Sequence, residues 1–71
     1  MDITFGELQD GDWIYHGLEL IRYDGMGVIP GRDDMGMLYI SWHDIGNTFI
    51  PHEKGIPVFF ADMVTISRGE D

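Results

Sequence analysis

Two histidine–acid pairs flank one predicted hairpin and are the strongest candidates for metal chemistry in the sequence. They are His43-Asp44 and His52-Glu53. Because zinc, manganese and iron accept imidazole and carboxylate ligands, one hypothesis is a metal-binding protein or a metal-dependent hydrolase. A metal site also needs a defined ligand geometry and a supporting shell, and two pairs on loops show no diagnostic spacing. Solvated turns are therefore the favoured interpretation.

The sequence carries no recognisable nucleophile or cofactor motif. Because the 71 residues include no cysteine, thiol catalysis, disulfides and thiolate metal sites are excluded. None of the serines and threonines lies in a G-x-S-x-G elbow. The glycines around Met26 are not followed by the helix and lysine of a phosphate-binding loop. These observations predict a non-enzymatic protein without a cofactor.

Large aromatic residues suggest a different chemistry, because small barrels use aromatic cages to bind methylated lysine, and an acidic rim favours that cation. The candidates for such a cage are Trp13, Tyr15, Tyr39 and Trp42. Aromatic side chains also supply much of the buried area of small domains. A core position is therefore the favoured interpretation for most of the four, and for Phe49, Phe59 and Phe60 as well.

The charge balance indicates which partners the chain can have. Thirteen acidic residues against four basic ones give a formal net charge of −9. Nucleic-acid affinity depends on lysine and arginine contacts with phosphates, and docking to an anionic membrane depends on basic clusters. The chain is therefore predicted to bind neither nucleic acid directly nor a membrane. The same charge would attract a basic protein partner, but from the charge alone a purely solubilising role is the favoured interpretation.

The segment from Pro30 to Gly36 is the best candidate for a contact loop. It combines glycines and a proline with a charged run, and its methionine is of the kind that adapts to partner surfaces. Loops on rigid scaffolds also tend to carry function. Acidic turns elsewhere in the chain are expected to complete the contact surface. The predicted partner-binding residues are Arg32, Asp33, Asp34, Met35, Asp10, Asp12 and Asp24.

Short apolar runs separated by glycines predict antiparallel β structure. The expected extended segments are 12–16, 18–23, 26–29, 37–42, 48–50, 58–60 and 64–67. A tight hairpin turn at Asp24-Gly25 is expected to separate the second segment from the third. Five or six short strands of this kind close into a small barrel, which hides most strand edges.

Single helical turns are expected at two places. Thr4 and Glu7 have the spacing of a capping box, and the turn that they begin is expected to end at Asp10-Gly11-Asp12. The second helical turn is expected over residues 61–63, just before the last strand. Residues 68–71 are predicted to be a frayed tail, and residues 1–71 form one domain.

Two stretches resemble known families. Residues 5–12 resemble the F-x-E-L-x-x-G-D opening of many short, mostly uncharacterised phage and prophage proteins. Residues 59–66 resemble the ending of an SH3-like barrel, in which a helical turn precedes a short final strand. The resemblance implies a small five- to six-stranded antiparallel SH3-like barrel of the all-β class. It does not imply proline-ligand binding, because the A-L-Y-D-Y stretch of signalling SH3 domains is absent.

Three functional hypotheses follow. The first is a non-enzymatic acidic protein-binding module, which in a phage would bind a host protein and imitate nucleic-acid charge. The second is a structural homo-oligomer or a small assembly component, because a small core and free strand edges favour pairing. The third is the metal protein described above. The acidic start at Met1-Asp2 lacks the basic and apolar regions of a secretory signal, which predicts a cytoplasmic location, the host cytoplasm for a phage protein.

Overall fold

A computed structural model describes residues 1–43, 46 and 48–69 of the chain. In these residues the protein is all-β, with seven strands and a single 3-10 turn at Phe5–Glu7. The strands are β1 (Asp2–Thr4), β2 (Asp12–His16), β3 (Glu19–Val28), β4 (Met35–His43), β5 (Phe49–Pro51), β6 (Ile56–Phe59) and β7 (Met63–Arg68). The predicted all-β antiparallel class is confirmed, with more strands than the five or six expected.

The strands form one antiparallel sheet in the order β1-β7-β2-β3-β4-β5, with β6 also paired to β4. Strand β4 is long enough to pair with β6 near its beginning and with β5 near its end. Backbone hydrogen bonds join the 3-10 turn after β1 to the chain after β6, from Gly6 N–H to the Phe60 carbonyl (3.1 Å) and from Phe5 N–H to the Asp62 carbonyl (2.9 Å). They bring the two ends of the sheet together into a small barrel-like fold.

The core lies on one face of this sheet because side chains alternate between the two faces of a strand. Its buried apolar residues are Ile14, Ile21, Tyr23, Leu38, Ile40 and Ile66. Ile14 pairs with both Ile21 and Ile66 across neighbouring strands, so β2 lies at the centre of the packing. The opposite face of the same strands is left to solvent or to a partner.

The hairpin predicted at Asp24-Gly25 is wrong, because β3 continues without a break through both residues. The pairing register with β4 shifts between Tyr23 and Gly25, and Gly25 has a φ of 127°. A β-bulge accommodates one extra residue in this way, and a glycine adopts the required backbone conformation without strain. The turn-forming dipeptide is therefore used to bend a strand rather than to reverse the chain.

The two predicted helical turns have different outcomes. The capping box at Thr4 and Glu7 is present, and the Glu7 carboxylate accepts the backbone N–H and the hydroxyl of Thr4, both at 2.9 Å. These hydrogen bonds lower the pKa of Glu7, the backbone bond most. The second prediction is wrong: Asp62 N–H bonds the Phe59 carbonyl in a tight turn, and β7 already begins at Met63.

The predicted frayed tail falls partly on β7. Arg68 is the last residue of that strand and pairs with Asp12 across the ladder, so its inclusion in the tail is wrong. Residues 70 and 71 lie outside the described residues. The described residues also contain no helix with the length and apolarity that a membrane span requires.

Candidate functional site

The solvent side of the sheet carries large side chains where β2, β3, β4 and β7 lie next to each other. Trp13 pairs with Arg22 and with Ser67, and Tyr15 pairs with Leu20. These positions alternate with the buried residues Ile14 and Ile21, so they point away from the core. We call this surface the outer face. It consists of Trp13, Tyr15, Leu20, Arg22, His43, Phe49 and Ser67.

Three rings pack together at the centre of the outer face. The ring centroids of Trp13 and Phe49 are 5.5 Å apart, and those of His43 and Phe49 are 4.2 Å apart. The His43 ring also meets Trp13 edge-on at 6.2 Å. These separations lie in or near the range at which rings attract one another. The cluster gives the outer face a preformed aromatic floor.

An ion pair between Arg22 and Asp24 lies beside the aromatic rings. The Arg22 guanidinium lies 4.3 Å from the centroid of the Phe49 ring, and its Nε donates to Asp24 Oδ1 at 3.0 Å. The buried Ser41 hydroxyl donates to the other carboxylate oxygen of Asp24. Because Arg22 and Asp24 neutralise each other, the centre of the outer face offers apolar surface without net charge.

A groove of about 670 Å³ runs across the outer face. Its lining residues are Trp13, Glu19, Leu20, His43, Ser67 and Gly69. Binding sites for small ligands and side chains have volumes of about 300–1,000 Å³ and are lined mainly by apolar and aromatic groups. The groove has that size and that character, with Trp13 between the β3 and β7 sides.

One acidic residue among the described ones lines this groove. It is Glu19, the first residue of β3, which is exposed. Gly69 also borders a separate, smaller depression of about 140 Å³ that includes Asp10, Asp12 and Arg68. An apolar groove with one exposed carboxylate in its lining is therefore the main chemical feature of the outer face.

Comparison with known proteins adds no identity to this picture. No family model, curated protein or solved structure matches the chain. The resemblance of residues 5–12 to phage proteins stays a prediction. The function of the chain must therefore be inferred from the outer face and the charge.

The predicted contact loop lies between β3 and β4, and two of its charged side chains bind each other. Arg32 donates Nε and Nη2 to the two carboxylate oxygens of Asp34, each at 3.0 Å. This contact lowers the pKa of Asp34 and raises that of Arg32. Met35 is half-buried and already belongs to β4, opposite Phe59. Asp33 is exposed and remains the most available charge of the loop.

The three acidic turns of the prediction have unequal access to solvent. Asp10 is exposed in a turn. Asp12 is only 1% exposed, so its carboxylate is a structural group that does not reach a partner, and this part of the prediction is wrong. Asp24 lies inside β3 rather than in a turn and is bound to Arg22 and Ser41. It precedes Val28, the last residue of β3, by four positions, about 13 Å at the usual strand rise. Asp24 and the contact loop therefore do not form one compact patch.

The candidate metal ligands do not come together in the part of the chain that the structure describes. His43 is on the outer face opposite Phe49, whereas His52 donates its backbone N–H to the Ile40 carbonyl. His43 follows Ile40 by three positions along β4, about 10 Å at the rise of a strand. Among the described residues no group of three or more histidine, aspartate or glutamate side chains could hold a metal ion. Asp44 lies outside them, and Glu53 is exposed.

The structure separates the four candidate cage residues. Trp42 packs against the core and meets His16 edge-on at 5.3 Å, whereas Trp13 belongs to the outer face. Core positions predicted for the aromatic residues are wrong in several cases, because Tyr15, Tyr39 and Phe59 are exposed. Phe49 and Phe60 are half-buried.

Sequence reasoning missed the outer face as a site. One signal for it is present in the printed sequence. In the strand Asp12–His16, the aliphatic Ile14 alternates with Trp13 and Tyr15. When large side chains occupy both faces of a strand in a chain this short, only one face can be covered by the core. The aromatic set is the one that remains outside.

Proposed function

We propose that this chain is a non-enzymatic protein-binding module whose contact surface is the outer face. The proposed partner presents a positively charged segment that lies along the groove. The observation that carries the proposal is a preformed aromatic groove on the solvent side of the sheet, in a chain with a net charge of −9.

The exposure of the apolar side chains supports a contact role for the outer face. Tyr15 is 48% exposed and its cross-strand partner Leu20 is 41% exposed, and both lie beside the half-buried Trp13. Contiguous exposed apolar groups rimmed by polar ones mark interaction sites. Tyrosine and tryptophan are also enriched among the few residues that contribute most to binding in protein interfaces. A partner segment that covers these side chains gains hydrophobic stabilisation without rearranging the sheet.

The charges favour a basic partner. Three of the four basic side chains are already paired with aspartates, in the pairs Arg22–Asp24, Arg32–Asp34 and Arg68–Asp12. Thirteen acidic groups in total leave a large negative excess in the chain that carries the groove. Such a field attracts and orients cationic partners. It also suits the more specific proposal that the chain occupies a surface where its partner would otherwise hold nucleic acid.

Selection from a library of random peptides displayed on yeast tests this proposal. We expect the recovered peptides to be enriched in lysine and arginine. Their binding should be lost with Leu20→Ser but kept with Ile50→Ser, because Ile50 is similarly exposed (49%) yet lies on β5 outside the groove. Recovered peptides without a basic excess, or equal losses with both variants, would contradict the proposal.

Ionic strength provides a second readout of the proposal. Exposed charges more than about 10 Å apart are largely screened at 0.1 M salt. The affinity of a selected peptide should therefore fall steeply as salt is added. An affinity that does not change with salt would show that charge attraction does not contribute to binding. It would also contradict the proposal that the chain imitates nucleic acid.

A further inference from the structure

We infer that the groove holds one large apolar side chain of the basic partner, in the space that the small residues Ser67 and Gly69 leave beside Trp13. We call this partner side chain the anchor. The inference rests on the proposed function, and it adds which kind of partner side chain gives affinity. It also identifies Ser67 as the residue that limits the size of the anchor.

The Trp13 ring leans away from β7. Its centroid lies 5.5 Å from that of Phe49 on β5 and 6.2 Å from that of His43 on β4. Both strands lie beyond β3 in the sheet, whereas β7 is the neighbour of β2 on the other side. Because the ring packs toward β4 and β5, the flank of Trp13 that faces β7 stays open to the groove.

Small residues border this open flank. Ser67 is the direct partner of Trp13 in the ladder between β2 and β7, and both residues line the groove together with Gly69. The Cβ atoms of directly paired residues lie about 5 Å apart, so a larger residue in place of Ser67 would fill the space beside the indole. A Cβ added at Gly69 would meet no described atom within 4 Å. The two small residues therefore create the depression beside Trp13.

The chemistry of the lining suits an apolar side chain rather than a cation. The Trp13 indole and the exposed Leu20 provide apolar walls. Arg22 is the direct partner of Trp13 in the ladder with β3, so a second cation seated here would lie beside an existing one and lose hydration. The acidic residue of the lining, Glu19, precedes Arg22 by three positions along β3, about 10 Å at the rise of a strand. An aliphatic or aromatic side chain has neither cost and gains contact with the indole.

The basic residues of the partner act from outside this space. The net charge of −9 belongs to the chain as a whole rather than to the groove, and a field of this kind mainly accelerates association. Apolar contacts in an interface mainly determine how fast a complex dissociates. The anchor should therefore set the lifetime of the complex, whereas the basic residues set its rate of formation.

Alanine scanning of a basic peptide recovered from the selection tests the anchor. At one large apolar position, alanine should weaken binding to the intact chain by at least about tenfold, because burial of such a side chain contributes that much or more. Surface plasmon resonance should show this loss as faster dissociation. Glutamine at the basic positions should instead slow association. A peptide in which no apolar position matters would overturn the inference, although its dependence on Leu20 would still support the proposed function.

A variant that fills the depression tests the role of Ser67. Ser67→Leu should weaken the parent peptide by at least about tenfold but the peptide with an alanine at the anchor position by less than about twofold, because only the large anchor competes for the space. Thr65→Leu is the matched control. It adds the same side chain to the same strand, at an exposed residue that is not among the described residues of the lining, and it should change either affinity by less than about twofold.

The outcomes separate this inference from the proposed function. An unchanged affinity of the parent peptide for Ser67→Leu would show that the anchor lies elsewhere. Equal losses for the two peptides would show that the substitution disturbs the sheet rather than fills the groove, and either result would overturn the role of Ser67. Absence of basic peptides from the selection would remove the proposed function and this inference together.

Discussion

Arg68 binds the buried carboxylate of Asp12 through two hydrogen bonds, Nε to Oδ1 and Nη2 to Oδ2, each 2.8 Å long. The Asp12 side chain is 1% exposed and that of Arg68 is 32% exposed. Arg32 and Asp34 make the same two-pronged contact at the surface, with side chains 48% and 58% exposed. The chain therefore contains one type of ion pair in two environments, one joining β2 to β7 and one within a loop.

This pairing predicts very different losses of stability for two equivalent substitutions. Asp12→Asn leaves the Arg68 guanidinium without its counter-charge at the edge of the core, and we expect it to lower the free energy of unfolding by about 3 kcal/mol. Asp34→Asn breaks the exposed pair and should cost less than about 1 kcal/mol. Urea unfolding of both variants provides the measurement. Similar losses in the two variants would show that burial does not distinguish the pairs.

The same contact predicts how stability depends on acidity. The hydrogen bonds from Arg68 lower the pKa of Asp12 below its ordinary value, so the unfolded chain takes up this proton before the folded chain does as the pH falls. The stabilisation by Asp12 is fully present above about pH 5 and is lost as the pH falls through the lowered pKa. The difference in unfolding free energy between the wild type and Asp12→Asn should therefore shrink in acid. A constant difference down to about pH 2 would contradict this assignment.

A close approach between β4 and the turn after β6 predicts a further loss. A Cβ added to the buried Gly36 would meet Phe60 Cε1 at 2.6 Å and Met26 Cγ at 2.8 Å. Gly36→Ala must therefore displace both side chains, and overpacking of this kind costs about 1–3 kcal/mol. Gly69→Ala is the control, because its added Cβ meets no described atom within 4 Å. Thermal unfolding should show a lower midpoint for Gly36→Ala alone. An unchanged midpoint would mean that Phe60 and Met26 can move aside without loss of stability.

The outer face predicts that binding and stability can be separated. Leu20 is 41% exposed and contributes little to the core, so Leu20→Ser should change the free energy of unfolding by less than about 1 kcal/mol. The same substitution should abolish peptide binding, because it removes apolar surface from the groove. Urea unfolding and peptide titration on the same preparation provide the measurement. A large loss of stability would show instead that Leu20 supports the fold.

Features that depend on neighbouring residues in the chain, such as single strands and turn caps, could be predicted from the sequence. Alternation and flanking glycines predicted the strand Asp12–His16 with its observed bounds, and the spacing of Thr4 and Glu7 predicted the capping box. The dipeptide Asp24-Gly25 is equally typical of a hairpin turn and of a β-bulge. Only the pairing of β3 with β4 decides that a bulge forms. The partners Asp12 and Arg68 are 56 positions apart, so neither charge could be assigned before the ladder between β2 and β7 was known. The outer face depends on the same ladders, since they decide which side of each strand the core covers.

The two indole N–H signals of the chain test the central claim most directly. Trp13 lines the groove, whereas Trp42 packs against the core, so one nuclear magnetic resonance titration contains both the site and its internal control. On addition of a basic peptide recovered from the selection, we predict a progressive, saturable shift of the Trp13 indole signal with little change at Trp42. The backbone amides of β2, β3 and β7 around the groove should shift with Trp13. A Trp13 signal that stays in place while the amides of residues 30–34 shift would contradict the proposal that the outer face is the contact surface.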